Sequence, residues 1–284
     1  MKKILIATDF SANATHAAEY GYRLAKQIKA DIVLCNVVIV PAEMPQIGMV
    51  AWPMGEYEVL MEGSITELKK LMARLTADTD GFKPAITYVS ETGIVTDVIN
   101  NAITAHKIDF VITGTHGSSG FASFMLGNHN RDMIDHVVKP LILVPATTPL
   151  APTKKIAFAT DFTQPKKDLE YFNTMIVAAK LLKAEILLTH IYEEKQDSAE
   201  FQNWVEKFIA ELSEKANYPE VYYRLVKNVS TENGLDWLCQ YGQVDMLVMV
   251  HRPHSFFDNL LKGSHTKKMA SHINIPLFVF PEKR

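Results

Sequence analysis

The residues best suited to chemistry in this sequence form a glycine-rich loop. Residues 114–117 (GTHG) are followed, after nine intervening residues, by residues 127–130 (GNHN). Glycine lacks a Cβ and lets a backbone approach a ligand closely, and the first N–H groups of a helix have no partner inside that helix. Because these N–H groups and the helix dipole attract anions, the loop predicts a phosphate-binding site. A tight turn without a ligand would use the same glycines.

The segments around the loop are suited to presenting it. Residues 108–113 are apolar and β-branched, which predicts a buried strand, and residues 131–139 have the amphipathic pattern of a helix. The glycines would therefore join the end of a strand to the start of a helix. Their spacing matches neither the Gly-x-Gly-x-x-Gly dinucleotide fingerprint nor a Walker A loop, since no Gly-Lys-Ser/Thr is present.

Three separated motifs resemble those of the universal stress protein family. They are residues 4–11 (ILIATDFS), the two glycine motifs with their nine-residue spacing, and residues 139–145 (KPLILVP). The family usually has Ser or Thr where this chain has Asn128, whose amide can still hydrogen-bond a phosphate but with a different reach. The resemblance covers nearly the whole chain. It implies an adenine-nucleotide-binding regulatory or stress-response protein that takes ATP or AMP, with or without magnesium, and has no well-defined substrate.

The resemblance also implies which residues hold the nucleotide. Asp9 would contact the nucleoside, the backbone at Val37 the adenine, and the glycine loop the ribose and phosphates. The expected contacts are Ala7, Thr8, Asp9, Val37, Thr113, Gly114, Gly117, Gly127, Asn128, His129 and Asn130. Asp9, Val37 and Gly114 fall at predicted strand ends, where parallel sheets form their ligand crevices. Asp9 is equally suited to capping the following helix, and the two roles can coexist.

The chain is an internal duplication. Residues 2–11 recur as residues 154–163 with seven of ten positions identical, and further segments repeat in the same order. A proline-containing linker at residues 147–152 separates the copies. We therefore expect two domains: residues 1–147, with the intact glycine loop, and residues 153–284, in which the nucleotide motifs are degenerate.

Apolar strands alternate with helical patterns in each half, which predicts an α/β fold. Each domain should be Rossmann-like, a five-stranded parallel sheet with helices on both faces. In the first half we expect strands at residues 3–8, 31–38, 84–89, 109–113 and 140–144, and helices at 12–29, 57–77, 93–106 and 129–138. Family members pair their last strands across a dimer. Here residues 140–145 and 276–281 would pair within one chain as an intramolecular pseudo-dimer, and further pairing into a homodimer stays open.

The second half keeps the strand and helix pattern of the first half but lacks two of its glycines. Aligning Asp245 with Asp109 places Val250 at Gly114 and Pro253 at Gly117. Valine does not adopt a positive φ cheaply and proline donates no N–H, so the near side of a phosphate cradle should be lost. A weaker second anion site is expected at Asp161, Gly263, Ser264, His265 and Thr266.

Composition narrows the range of partners and compartments. The formal net charge is -3 with 21% charged residues, so no basic field favours nucleic acid. No apolar run approaches the roughly 20 residues of a membrane-spanning helix, and the start of the chain has too short an apolar run for a signal peptide. The two cysteines, Cys35 and Cys239, lie in apolar segments and predict buried thiols without a disulfide. We expect a soluble, cytoplasmic protein.

Several alternatives stay open. Residues 41–62 are apolar but irregular, which suits either a lid or a surface loop packed against the other half. The histidines His251, His254, His129, His136, His265 and His272 suggest a metal site, but no tight ligand motif is present and none is assigned.

An enzyme, at most a slow ATPase, would depend on Asp9, and no catalytic residue is assigned. The third class of function is a scaffold in which the nucleotide motifs are relics. A regulatory role would require a partner protein of unknown identity.

Overall fold

The computed structural model describes residues 2–39, 54–77, 80–115, 128–162, 164–192, 217–252 and 274–281, together with residues 200, 203, 205–208 and 210–211. Strands and helices alternate through both halves of this part of the chain. The elements of the first half are β1 (Lys3–Ala7), α1 (Ala12–Ile28), β2 (Asp31–Val38), α2 (Met54–Thr76), β3 (Ile86–Thr92), α3 (Val95–His106), β4 (Phe110–Gly114), α4 (Asn128–His136) and β5 (Leu141–Val144). Those of the second half are β6 (Lys155–Ala159), α5 (Pro165–Leu182), β7 (Glu185–Tyr192), β8 (Val221–Lys227), α6 (Thr231–Tyr241), β9 (Met246–His251) and β10 (Leu277–Pro281).

The strands form one ten-stranded sheet in the order β3-β2-β1-β4-β5-β10-β9-β6-β7-β8. Neighbouring strands within each half are parallel, whereas β5 and β10 pair antiparallel, with Ile142 opposite Phe278. The predicted fold class and the pairing of the two last strands within one chain are therefore confirmed. In each half the strand order reverses beside the first strand, β1 or β6, and this reversal is where α/β sheets form a ligand crevice.

Helices cover both faces of the sheet. One face packs against α1, α2 and α5, and the other against α3, α4 and α6. Successive strand residues alternate between the faces, so Ile4 and Ile6 belong to one core and Leu5 to the other. Because both faces are covered, the central strands are predominantly apolar, and all four residues of β5 are buried. Both cysteines are free thiols, with Cys35 buried and Cys239 half-buried.

Helix boundaries agree with the sequence prediction to within a few residues, with one correction. Helix α2 begins at Met54, three residues before the expected start at residue 57, so the last nine residues of the segment 41–62 are helical and not irregular. This follows from the sequence, because Pro53 is the last proline of the segment and the residues after it include several strong helix formers. Residues 41–53 lie outside the described part of the chain. Strand β3 is also displaced, to residues 86–92 from the expected 84–89.

One face of α1 holds the linker between the halves. Its side chains recur every three or four residues, which places them in a line along the helix. His16 Nε2 lies 2.8 Å from the Thr148 carbonyl oxygen, Tyr20 Oη 3.3 Å from Thr153 Oγ1, and Arg23 Nη1 donates to the Leu150 carbonyl at 3.0 Å. Gln27 Nε2 donates to the carbonyls of Thr153 at 2.9 Å and Leu182 at 3.0 Å. These contacts fasten the linker and parts of the second half to the first half.

Candidate functional site

The candidate site lies at the carboxyl ends of β1, β2 and β4. Thr8, directly after β1, is buried, and its N–H donates to the Cys35 carbonyl at 2.9 Å. Pairing between β1 and β2 ends at Ala7 and Cys35, so the main chain of Val37 continues beyond the end of β1. Three of the residues predicted as contacts, Thr8, Val37 and Gly114, therefore lie at the same edge of the sheet.

The turn after β1 is held by its own side chains. Thr8 Oγ1 accepts from the N–H of Phe10 at 3.0 Å, and Asp9 Oδ1 accepts from the N–H of Ser11 at 3.0 Å. Phe10 has a φ of 64°, an unusual value for a residue with a Cβ. Ser11 Oγ then caps α1 by accepting from Ala14 N at 3.2 Å. The capping role falls mainly to Ser11, and Asp9, directly after Thr8, is exposed.

Gly114 is required by close packing and not by a positive φ. A Cβ at this position would lie 2.7 Å from the carbonyl oxygen of Asn13 and 3.1 Å from the amide nitrogen of Ala14. These atoms belong to the backbone of the first turn of α1 and have little freedom to move. Asn13 Nδ2 also donates to the Thr115 carbonyl at 3.0 Å, and Thr115 N–H donates to Val144 at 3.0 Å. The start of α1 is thereby fixed against the end of β4, next to the half-buried Thr113.

A buried polar network supports the crevice from behind. Asn36 Nδ2 donates to the Thr8 carbonyl at 2.7 Å, and its Oδ1 accepts from Ser64 Oγ at 2.8 Å. Ser64 Oγ also lies 2.6 Å from Ser90 Oγ. The network therefore connects β1, β2, α2 and β3 at the site. Sequence reasoning missed these residues, although an Asn inside the apolar strand β2 was the available signal.

The far side of the predicted site is only partly described. The first turn of α4 contains Asn128, His129 and Asn130. We expect the phosphate held by the glycine loop to lie at this helix start. Gly117 and Gly127 lie outside the described residues, as do Gly263, Ser264, His265 and Thr266 of the second half. The contacts predicted for these residues stay predictions.

The second half repeats the turn geometry with different side chains. His190 is the counterpart of Asn36, and its Nδ1 lies 2.8 Å from the Thr160 carbonyl, as the Asn36 amide lies beside the Thr8 carbonyl. Thr160 N–H donates to Thr189, and Phe162 has a φ of 55°. Burial lowers the pKa of His190, which favours the neutral imidazole. The half-buried Asp161 stands at the position of Asp9.

An ion pair fills the corresponding space beside β6 and β9. Arg252 Nη2 lies 2.5 Å from Asp168 Oδ1, and Thr160 Oγ1 donates to Asp168 Oδ2 at 2.7 Å. Burial raises the pKa of Asp168, and the hydrogen bonds from Arg252 and Thr160 oppose this shift. The Arg252 guanidinium also lies 5.7 Å from the centre of the Tyr171 ring. Sequence reasoning did not single out this pair, because its members are 84 residues apart.

The histidines lie in separate environments. His251 Nε2 in the second half lies 3.0 Å from Asp135 Oδ1 in the first half, and His136 Nδ1 lies 2.9 Å from the Asp132 carbonyl. Over the described ranges, no group of three or more His, Cys, Asp or Glu side chains is placed to hold a metal ion. The side chains of His129, His254, His265 and His272 lie outside those ranges.

Fold and site define a tandem, Rossmann-like α/β protein whose candidate site lies at the carboxyl ends of its strands. The model of the universal stress protein family matches residues 1–145 and 152–281. The chain belongs to the universal stress protein family. None of the described helices is long and apolar enough to cross a membrane.

Two relatives agree with this assignment, and one solved structure has the same fold. Two universal stress proteins of Methanocaldococcus jannaschii are 25% identical over 143 residues and 26% identical over 155 residues. Each match spans 50% of this chain, and the two spans cover 81% and 94% of the relatives. The crystal structure of a universal stress protein from Archaeoglobus fulgidus shares the fold with a TM-score of 0.71 at 15% identity, covering 99% of this chain and 96% of that one.

Proposed function

We propose that the protein binds an adenine nucleotide, ATP or AMP, in the first-half crevice and acts as a regulatory protein in a stress response. The observation that carries the proposal is Gly114, where a side chain is excluded because the first turn of α1 lies directly against the end of β4. This packing places the start of α1 against the end of β4, the strand from which the glycine loop continues. Both features attract phosphate groups.

The rest of the crevice suits the nucleoside. The main chain of Val37 extends past the end of β1 and offers backbone groups of the kind that can hydrogen-bond an adenine edge. The Asp9 carboxylate, placed by its bond to the Ser11 N–H, is an acceptor for a ribose hydroxyl. In this arrangement, Gly117 and Gly127 with Asn128, His129 and Asn130 complete the phosphate side, and magnesium would accompany ATP.

The second half is proposed to be degenerate as a nucleotide site. Val250 replaces Gly114, and the Asp168–Arg252 pair occupies the region beside the first turn of α5. Arg252 is already paired with a carboxylate, so it has less capacity to attract a phosphate. The functional units are therefore residues 1–147, which bind nucleotide, and residues 153–284, which have a structural or divergent role.

Calorimetric titration with ATP, ADP and AMP, with and without magnesium, tests the proposal. We expect one site per chain, weakened by Asp9→Ala and abolished by Gly117→Val. Asp161→Ala is the matched control because Asp161 occupies the equivalent position in the second half, and it should leave the affinity unchanged. Two sites of similar affinity, or equal effects of the two Asp variants, would contradict the assignment to the first half. Absence of binding would favour a scaffold.

Regulation through the bound nucleotide has its own test. Nucleotide should order the glycine loop and change a surface that a partner protein recognises. Hydrogen exchange measured with and without ATP should show protection over residues 114–130. Unchanged exchange there would contradict this step. If ATP is turned over, and Asp9→Ala removes turnover while retaining binding, the protein is a slow ATPase.

A further inference from the structure

A second cavity lies on the opposite side of the molecule from the crevice. It has a volume of about 550 Å³ and is bordered by α1 of the first half and α5 of the second. Phe110, Ile142, Met175, Phe278 and Phe280 supply much of its wall. We propose that this cavity binds a single-chain amphiphile, a hydrocarbon chain of intermediate length with an anionic head group such as a carboxylate.

The wall chemistry selects a hydrocarbon chain. Most of the wall is aliphatic or aromatic, and the volume falls within the roughly 300–1,000 Å³ typical of small-molecule sites. Val177 and Leu181 of α5 line the cavity, and they remain 56% and 43% exposed. A bound chain would remove part of this apolar surface from water, which is the main source of affinity for such ligands.

Charge at the cavity selects the head group. Lys2, Lys139 and Asp109 border it. Asp109 is already satisfied, because Oδ1 lies 2.8 Å from Lys2 Nζ and Oδ2 accepts from Lys3 N–H at 2.8 Å. Lys139 is exposed and forms no ion pair within the described part of the chain, so it leaves a net positive charge at the cavity. An anionic group is therefore favoured over a neutral or cationic one.

Both halves of the duplicated chain line the cavity, but they do not contribute equivalent residues. The first half contributes α1 and the starts of β4 and β5, and the second half contributes α5, β9 and β10. The residue before Pro140 is Lys139, whereas the residue before the equivalent Pro276 is the buried Ile275. Only one side of the pseudo-two-fold therefore carries the cation. The cavity is also separate from the nucleotide crevice, because Lys2 and Asp109 precede β1 and β4 while Thr8 and Gly114 lie at their far ends.

Titration of the full chain with octanoate, decanoate and dodecanoate, each below its micelle concentration, tests the proposal. Affinity should rise about fourfold for each methylene added until the cavity is full, and then level off. Decanol and decyltrimethylammonium should bind more weakly than decanoate. Equal binding of the three head groups, or no binding of any chain, would overturn the proposal.

Two variants locate the ligand. Lys139→Glu should weaken decanoate by about threefold to tenfold while leaving decanol unchanged, whereas Lys83→Glu, the same charge change at an exposed site near β3, should have no effect. Ala178→Phe should fill the cavity and abolish binding, and Ala105→Phe on the exposed side of α3 is its control. Equal effects within either pair would overturn the location. If Ala178→Phe instead converts a dimer to a monomer, a second copy covers the cavity and the proposal fails.

Discussion

Arg252 and Asp168 form an ion pair at the place in the second half where the first half has its crevice. Their side chains are 4% and 3% exposed, and Nη2 lies 2.5 Å from Oδ1. Lys29 and Lys183 both end the first helix of their halves in a left-handed conformation. Counting back from these equivalent residues places Asp168 at the position of Ala14. A carboxylate thus replaces a methyl group in the first turn of the helix, and an arginine from the end of β9 neutralises it.

Removing only one member of the pair should destabilise the protein more than removing both. Asp168→Ala leaves the Arg252 guanidinium buried without its counterion, so we expect a loss of about 3–5 kcal/mol in the free energy of unfolding. The double variant Asp168→Ala with Arg252→Met removes both charges and should recover most of that loss. Urea denaturation of the two variants measures this difference. A double variant no more stable than the single one would show that the pair itself stabilises the fold.

Two glycines in the first half should respond oppositely to the same substitution. At Gly114, a Cβ would lie 2.9 Å from the carbonyl carbon of Asn13, so Gly114→Ala must displace α1 or β4. We expect a loss of about 1–3 kcal/mol in stability and weaker nucleotide binding. At Gly63, inside α2, nothing lies within 4 Å of the added Cβ, and Gly63→Ala should stabilise the protein by about 1 kcal/mol. Thermal unfolding and calorimetry check both, and a neutral Gly114→Ala would contradict the packing argument.

The sequence predicts the order of strands and helices well because this order repeats in the two halves. Residues 2–11 and 154–163 share a pattern that defines a strand and the turn after it, and in each turn a Thr hydroxyl accepts from the N–H two residues further on. The prolines at positions 140 and 276 locate the two strands that pair across the pseudo-two-fold. The hydrophobic periodicity of each segment, together with the prolines that bound it, therefore determines the elements and their order.

The candidate site was predictable only where a local motif marks it. Gly114 stands out in the sequence, but the reason for it, a clash with Asn13, depends on how α1 packs against β4. The same holds for the Arg252–Asp168 pair and for the contact of Gln27 with Thr153, which lies 126 residues away. These contacts follow from the crossing of distant segments, which no spacing along the chain encodes.

The linker contacts of α1 should differ in strength along the helix. Gln27 Oε1 accepts from Thr153 N–H at 3.2 Å and its amide donates to two carbonyls, and Thr153 is 2% exposed. Gln27→Ala leaves buried backbone groups unsatisfied, and we expect a loss of about 1–3 kcal/mol. Arg23→Ala removes an exposed bond to the Leu150 carbonyl and should change stability by about 0.5 kcal/mol or less. Urea denaturation checks the pair, and equal effects would contradict the ranking.

The thiol of Cys35 should be inert in the native protein. Burial, with a smaller contribution from the charge of Glu91, raises its pKa to about 12, so the thiolate that reacts with alkylating agents is scarce. At neutral pH, iodoacetamide should modify Cys35 only at the rate of unfolding. Mass spectrometry of peptides after timed labelling measures this rate, and denatured protein supplies the control. Rapid labelling in native protein would mean that β2 opens locally.

His190 should make the second half sensitive to mild acid. Its pKa is lowered by burial from an ordinary value of 6.5, so below about pH 6.5 the unfolded chain binds a proton that the folded chain does not. Stability should therefore fall as the pH decreases from about 6.5 towards the folded-state pKa, and level off below it. His190→Asn should remove this loss, because Asn36 shows that an amide can bond the equivalent carbonyl. The melting temperature measured from pH 7 to pH 5 tests the difference, with the wild-type slope as the reference. If His190→Asn keeps that slope, the acid sensitivity arises from another group.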